Sequence, residues 1–162
     1  MNNLKIGDEV PARIMENPNF HLPKTPENVV MIANGTGIAP FLGMIQENIL
    51  RKTISLFAGF RHDNDWVNSY RIFAEHQINQ GQLKRFDFAF SREENQQYVM
   101  DLIRKNENYF AELLAKNGTI MICGSLKMQK DVEIILDEIC QKFLGKPLQH
   151  FIKNGQILSD CY

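Results

Sequence analysis

Val29-Val30-Met31-Ile32-Ala33 is an unbroken apolar run, the pattern of a strand buried on both faces. After a glycine-rich turn, Phe41, Met44, Ile45, Ile49 and Leu50 recur at helical spacing. Ile54 to Phe60 predicts a second strand, and Trp66 to Ile78 a helix with Tyr70, Phe73 and Ile78 inward. Leu83 to Phe90 predicts a third strand, in which period two points Phe86, Phe88 and Phe90 the same way. Two short helical stretches follow, Tyr98 to Arg104 and Tyr109 to Leu114, and then a fourth strand from Gly118 to Cys123. Val132, Ile135, Leu136, Ile139 and Phe143 mark a long amphipathic helix. Gln149 to Asn154 adds a helical turn or two, ahead of a short strand at Gln156 to Leu158. Strands alternating with helices predict an α/β fold, a doubly wound and mostly parallel sheet of about five strands.

The front of the chain does not follow this alternation. Lys5 to Val10 resembles a turn into a strand, and Val10, Ala12 and Ile14 alternate with polar or small residues. Pro18, Pro23 and Pro26 then disfavour helix and predict an extended linker. A leading strand without a hairpin partner needs a sheet elsewhere. Residues 1–26 are therefore expected to be the tail of another unit plus a linker, and residues 27–162 a single domain.

Composition narrows the function classes. With 162 residues the chain is long enough for one well-buried core, and its formal net charge of -1 offers no basic stripe for nucleic acid. No apolar run is long enough to span a membrane, and Met1 to Lys5 opens no signal-peptide core, so a cytoplasmic setting is expected. Cys123, Cys140 and Cys161 are odd in number and lack CxxC spacing, and the four histidines form no HxxxH pair. Neither a disulfide framework nor a metal site is expected. Cys140 reads as core and Cys161 as filling a small gap.

Three segments at predicted strand ends could carry chemistry. Gly35-Thr36-Gly37 closes the first strand and opens a helix with Pro40 in its first turn. Small residues and free N–H groups there suit an anion, and Thr36 adds a hydroxyl. The turn is neither GxGxxG nor a P-loop, so a tight strand-to-helix connection reads equally well. Phe90-Ser91-Arg92-Glu93 lies at the end of the third strand, where open α/β sheets bind ligands. Ser91 and Arg92 together can grip a phosphate, with Tyr98 nearby to stack on an adenine; the plain alternative is an N-cap serine beside a solvated arginine. Cys123-Gly124-Ser125 ends the fourth strand, where the thiol is either a polarisable contact for a flat ring or a buried small residue.

Taken in order, these blocks resemble a known family. Val30 to Phe41, with its Gly35-Thr36-Gly37, is similar to the glycine-threonine-glycine segment of ferredoxin-NADP reductase-like flavoenzymes. Leu56 to His62, Phe90 to Glu93, Tyr98-Val99, Ile122-Cys123-Gly124 and Asp160-Cys161-Tyr162 match further blocks of that family. Lys130-Asp131-Val132 fits its diflavin branch, that of cytochrome P450 reductase and the sulfite reductase flavoprotein alpha component. The resemblance implies that Gly35, Thr36 and Gly37 lie against the pyrophosphate and nicotinamide side of NADPH. It implies that Ser91 and Arg92 hold the 2′-phosphate, that Tyr98 stacks near the adenine, and that Arg61 also contacts the cofactor. Cys123, followed by Gly124, is implied near the reactive carbon of the nicotinamide. Asp160 is implied to position the nicotinamide, and Tyr162 to stack on a flavin and yield its place for hydride transfer.

The chain departs from the family pattern at several positions. Ala33-Asn34 stands where Gly-Pro is usual, Ser125 where an acidic residue is frequent, and Gln96 where the diflavin members place a lysine. The last change removes one phosphate cation and predicts a weaker preference for NADPH over NADH. The flavin-binding segments of the family have no counterpart, and Leu4 to Pro23 resembles only their end. The resemblance therefore implies the NADPH-binding C-terminal part of a flavoprotein reductase, with Met1 an introduced start. Its implied partners are the FAD-binding domain of the full-length protein and an electron acceptor of unspecified identity. Alone, the chain is expected to bind nucleotide and to be inactive. A free-standing, non-catalytic nucleotide-sensing or interaction module is the alternative.

Overall fold

The structure, a computed structural model, describes residues 5, 7–9, 17–25 and 27–162. The predicted leading strand at Val10, Ala12 and Ile14 lies outside the described residues, as does Pro26. Five strands form one sheet: β1 (Asn28–Asn34), β2 (Thr53–Phe60), β3 (Arg85–Phe90), β4 (Thr119–Gly124) and β5 (Ile157–Cys161). Their order is β3-β2-β1-β4-β5 and every pairing is parallel. The order reverses at β1, which pairs with β2 on one side and β4 on the other, with Ile32 level with Phe57 and Ile122. Crevices beyond the carboxyl ends of strands at such a reversal are where open α/β sheets place ligands.

Period two divides β1 between two cores. Val30 and Ile32 face a cluster with Phe57, Phe110, Ile120 and Leu136. Val29, Met31 and Ala33 face the other, with Phe41, Ile45, Leu56 and Ala74. The first cluster is covered by α3 (Val99–Lys105), α4 (Glu107–Ala115), α5 (Leu126–Ile139) and α6 (Leu148–Lys153). The second is covered by α1 (Ala39–Gln46) and α2 (Asp65–Asn79). The unbroken apolar run of β1 thus reflects helices on both faces, which leave no water-facing positions. Beyond Ile139 the chain continues as a π-helical stretch, Cys140–Leu144, with Cys140 fully buried.

Side-chain caps set where the helices begin. Asn64 Oδ1 accepts from the Val67 N–H at 3.1 Å at the start of α2, and Ser125 Oγ accepts from the Met128 N–H at 3.3 Å at the start of α5. The end of α1 differs from the periodicity: Ile49 and Leu50 lie beyond the helix and are 82% and 68% exposed. Asn48 is the cause. Its buried amide donates to the Lys52 and Gln82 carbonyls, both at 2.8 Å, and accepts from the Lys52 N–H at 2.9 Å. A side chain that satisfies loop backbone in this way competes with helix continuation.

The segment ahead of β1 packs on the domain. Phe20 is buried against Phe41, ring centroids 5.8 Å apart, and Asn17 Nδ2 donates to Asp160 Oδ1 at 3.0 Å. Among the described residues no helix is long and apolar enough to cross a membrane.

Candidate functional site

A cleft of about 970 Å³ runs along the carboxyl edge of the sheet. Each strand delivers residues to it. Asn34 ends β1 and Gly35 and Thr36 follow it; Phe60 ends β2 and Arg61 follows it; Ser91 follows β3; Gly124 ends β4 and Ser125 follows it; Tyr162 follows β5. Tyr98, at the start of α3, completes the far wall. From β3 to β4 there are three interstrand spacings, about 14 Å, and Tyr162 after β5 carries the cleft one strand further.

At the β1–β4 end the backbones are in close contact. A Cβ on Gly37 would run into the Cys123 carbonyl and approach Gly124 Cα to 2.7 Å. Gly124 has φ +145°, a left-handed value, and a Cβ there would meet the Asn34 amide. Only glycines let the two turns approach this closely. Asn34 then joins them: its Nδ2 donates to Ser125 Oγ at 3.1 Å, and its Oδ1 accepts from the Ser125 N–H at 2.9 Å. Tyr162 is 70% exposed, its hydroxyl 3.0 Å from Thr36 Oγ1. Its N–H donates to the Gly124 carbonyl at 3.0 Å, and its carbonyl accepts from the Leu126 N–H at 3.3 Å. The ring is therefore held over the glycine-rich turn by both backbone and hydroxyl.

At the β2–β3 end, the Arg92 N–H donates to the Arg61 carbonyl at 2.9 Å and Ser91 Oγ donates to the Phe60 carbonyl at 3.3 Å. Glu93 braces the same corner by accepting from the Asp63 N–H at 3.0 Å, with His62 Nδ1 at 3.3 Å. Gln96 Nε2 donates to the Tyr98 hydroxyl at 2.8 Å and orients the phenol.

Seven predicted site residues line the cleft: Gly35, Thr36, Arg61, Ser91, Tyr98, Gly124 and Tyr162. Gly37, Arg92, Cys123 and Asp160 lie outside its wall. Gly37 packs behind it against β4, and Arg92 is exposed at the rim. Cys123 is 2% exposed and level with Asp160 in the β4–β5 ladder. Burial first, and then the charges of Asp160 and Cys161, push the Cys123 thiol up to about 11.

That shift has a sign. The thiol ordinarily titrates at 9.0, so folding favours its protonated form; the associated stability is complete below pH 9.0 and is lost as pH rises toward about 11. Denaturant unfolding near pH 8 and again near pH 10.5 should show wild type losing more stability than Cys123→Val. Equal losses in the two proteins would contradict this account.

A model of the oxidoreductase NAD-binding domain matches residues 31–133. The chain belongs to this family. It is 33% identical over 154 residues to the sulfite reductase [NADPH] flavoprotein alpha-component of Salmonella arizonae, covering 90% of this chain and 25% of that protein. It is 36% identical over 152 residues to NADPH oxidoreductase A of Dictyostelium discoideum, covering 88% and 23%. It is 31% identical over 173 residues to the NADPH–cytochrome P450 reductase of Aspergillus oryzae, covering 96% and 25%. The chain thus spans about a quarter of the length of these curated relatives.

The cleft suits the dinucleotide of an oxidoreductase NAD-binding domain. The missing side chains at Gly37 and Gly124 let the turns after β1 and β4 close on each other at one end of it, at the sheet edge where open α/β sheets hold ligands. Two further residues of this wall, Trp66 and Lys127, were not singled out from the sequence, and Asp131 entered it only within the Lys130-Asp131-Val132 block. Trp66 is 77% exposed in the first turn of α2, and Lys127 and Asp131 lie one turn apart on α5. Trp66 reads in sequence as an ordinary helix position, and only its exposure beside the cleft distinguishes it. Lys127 brings a cation from α5 to the wall.

Proposed function

We propose that this chain is the NADPH-binding domain of a flavin-dependent oxidoreductase that passes hydride from NADPH to FAD, with FAD held mainly by another domain of the full-length protein. The observation that carries this reading is the distribution of chemistry along one cleft. A serine, Arg61 and Tyr98 stand at the β2–β3 end, and a glycine-lined turn under an aromatic ring at the β1–β4 end. The first end is assigned to the adenosine and its 2′-phosphate, held by Ser91 and Arg61, with Arg92 reaching in from the rim. The second is assigned to the pyrophosphate and nicotinamide, along Gly35, Thr36 and Gly124, with Gly37 packed behind them to let the two turns close.

Within this reading Cys123 and Asp160, side by side in the ladder, form the floor beneath the nicotinamide. The thiol stays protonated there, and Asn17 holds the Asp160 carboxylate. Tyr162 covers the place where the flavin ring stacks and moves aside for the nicotinamide. NADPH supplies the hydride and FAD accepts it; the protein orients the two and excludes water. Residues 1–26 would then belong to the end of the FAD-binding domain and its linker, and an acceptor protein or domain would take the electrons onward. By itself the chain is expected to bind nucleotide without reductase activity.

Calorimetry with NADP⁺ and NAD⁺ tests the assignment. NADP⁺ should bind about 10- to 100-fold more tightly, the worth of one or two charge-assisted hydrogen bonds to the extra phosphate. Arg61→Ala and Arg92→Ala should each narrow that ratio. Equal affinity for the two nucleotides, unchanged in Arg92→Ala, would overturn the phosphate assignment.

A further inference from the structure

Asn34 and Ser125 are 91 positions apart in sequence and bonded to each other twice across the reversal of the sheet. Each bond uses a different group of the asparagine amide, so Asn34 cannot rotate without losing both. Ser125 is committed as well. Its N–H goes to Asn34, and its oxygen accepts from Asn34 Nδ2 and from the first turn of α5 at Met128. The Asn34 amide also abuts Gly124, where it would collide with any Cβ. One side chain therefore sets the separation of the turn after β1 from the turn after β4, and with it where α5 begins.

We propose that Asn34 is a positioning residue that acts through Ser125 as a latch, holding the two turns at the spacing required by the pyrophosphate–nicotinamide half of the cofactor. The inference rests on the nucleotide reading above and assigns this half of the cleft its spacing device. Binding gains from a latch because the turns are already ordered before the ligand arrives, so less freedom is lost on association. The β2–β3 end, braced separately by Glu93 and by the Arg61–Arg92 backbone bond, does not depend on it. The latch should therefore be felt by the full dinucleotide and not by its adenosine half.

Adenosine 2′,5′-bisphosphate carries the adenosine half alone. In calorimetry, Asn34→Ala should weaken NADP⁺ about 10-fold, the worth of two part-buried hydrogen bonds, and change the bisphosphate by less than about 2-fold. Ser125→Ala should show the same split, and it carries the test if Asn34→Ala fails to fold. The double variant should bind NADP⁺ no more weakly than the weaker single variant, because the two residues form one device. A merely structural role predicts a different pattern, in which both ligands weaken together. Parallel losses, no loss for either ligand, or single effects that multiply in the double variant would each overturn the latch. If the unaltered chain binds neither ligand, the nucleotide reading itself fails and the latch with it.

Discussion

Gly37→Ala should destabilise the protein by roughly 3 kcal/mol or more and abolish measurable NADP⁺ binding, the upper range for overpacking a site that cannot yield. The added methyl would meet Cys123 C at 2.6 Å and Gly124 Cα at 2.7 Å, and these are backbone atoms. No rotamer change relieves the clash. The turn after β1 would have to lift away from β4, and Gly124, paired to Cys161 in the ladder and to Tyr162 through its carbonyl, resists following it. Urea denaturation and calorimetry at low temperature measure the two effects. A variant within about 1 kcal/mol of wild type with unchanged affinity would show that the turns are not in contact in solution.

Phe57→Ala should cost about 3–5 kcal/mol, the range for removing a fully buried phenyl ring. Phe57 has no exposed surface and its ring packs 5.3 Å from Phe110 and 6.4 Å from Tyr109, with the Arg85 guanidinium 5.1 Å from its centroid. The two rings belong to α4 and the guanidinium to β3, so no single side-chain movement can close the cavity. Phe57 lies in the core and not in the cleft wall, so affinity for NADP⁺ should stay within about 2-fold wherever the variant remains folded, since independent sites add. The two variants separate the functions of the sheet. One change disrupts the carboxyl edge and loses ligand; the other hollows the core and loses only stability. A destabilisation under about 1 kcal/mol, or a loss of binding in folded Phe57→Ala, would contradict this division.

Much of the fold was legible locally. All five strands and every helix of the alternating pattern lie within a few residues of their predicted places, because each carries its own period. The run Val29 to Ala33 needs no partner to announce a doubly covered strand, and Val132 to Ile139 needs none to announce an amphipathic helix. The helix predicted through Leu50 ends at Gln46 instead. The side chain of Asn48 bonds to the Lys52 backbone and to Gln82, on the loop before β3, and hydrophobic spacing contains nothing of that contact. The predicted strand at Gln156 to Leu158 extends instead from Ile157 to Cys161, because pairing with β4 carries Asp160 and Cys161 into the ladder.

The cleft divides in the same way. The residues at each strand end were legible because a strand, a small-residue turn and a helix start are adjacent in sequence. Their grouping was not. Thr36 and Tyr162 meet across 126 positions, Asn17 and Asp160 across 143, and Asn34 and Ser125 across 91. The sequence by itself determined a doubly wound α/β domain with glycine turns at the ends of buried strands, since periodicity and turn chemistry act over a few residues. Only the tertiary structure decided that Asn34 and Ser125 complete one another, that Trp66 and Lys127 join the wall, and that Cys123 lies beneath the cleft and not in it. Hydrogen bonds and packing between distant segments depend on where the sheet order brings the chain back, and no local pattern encodes that return.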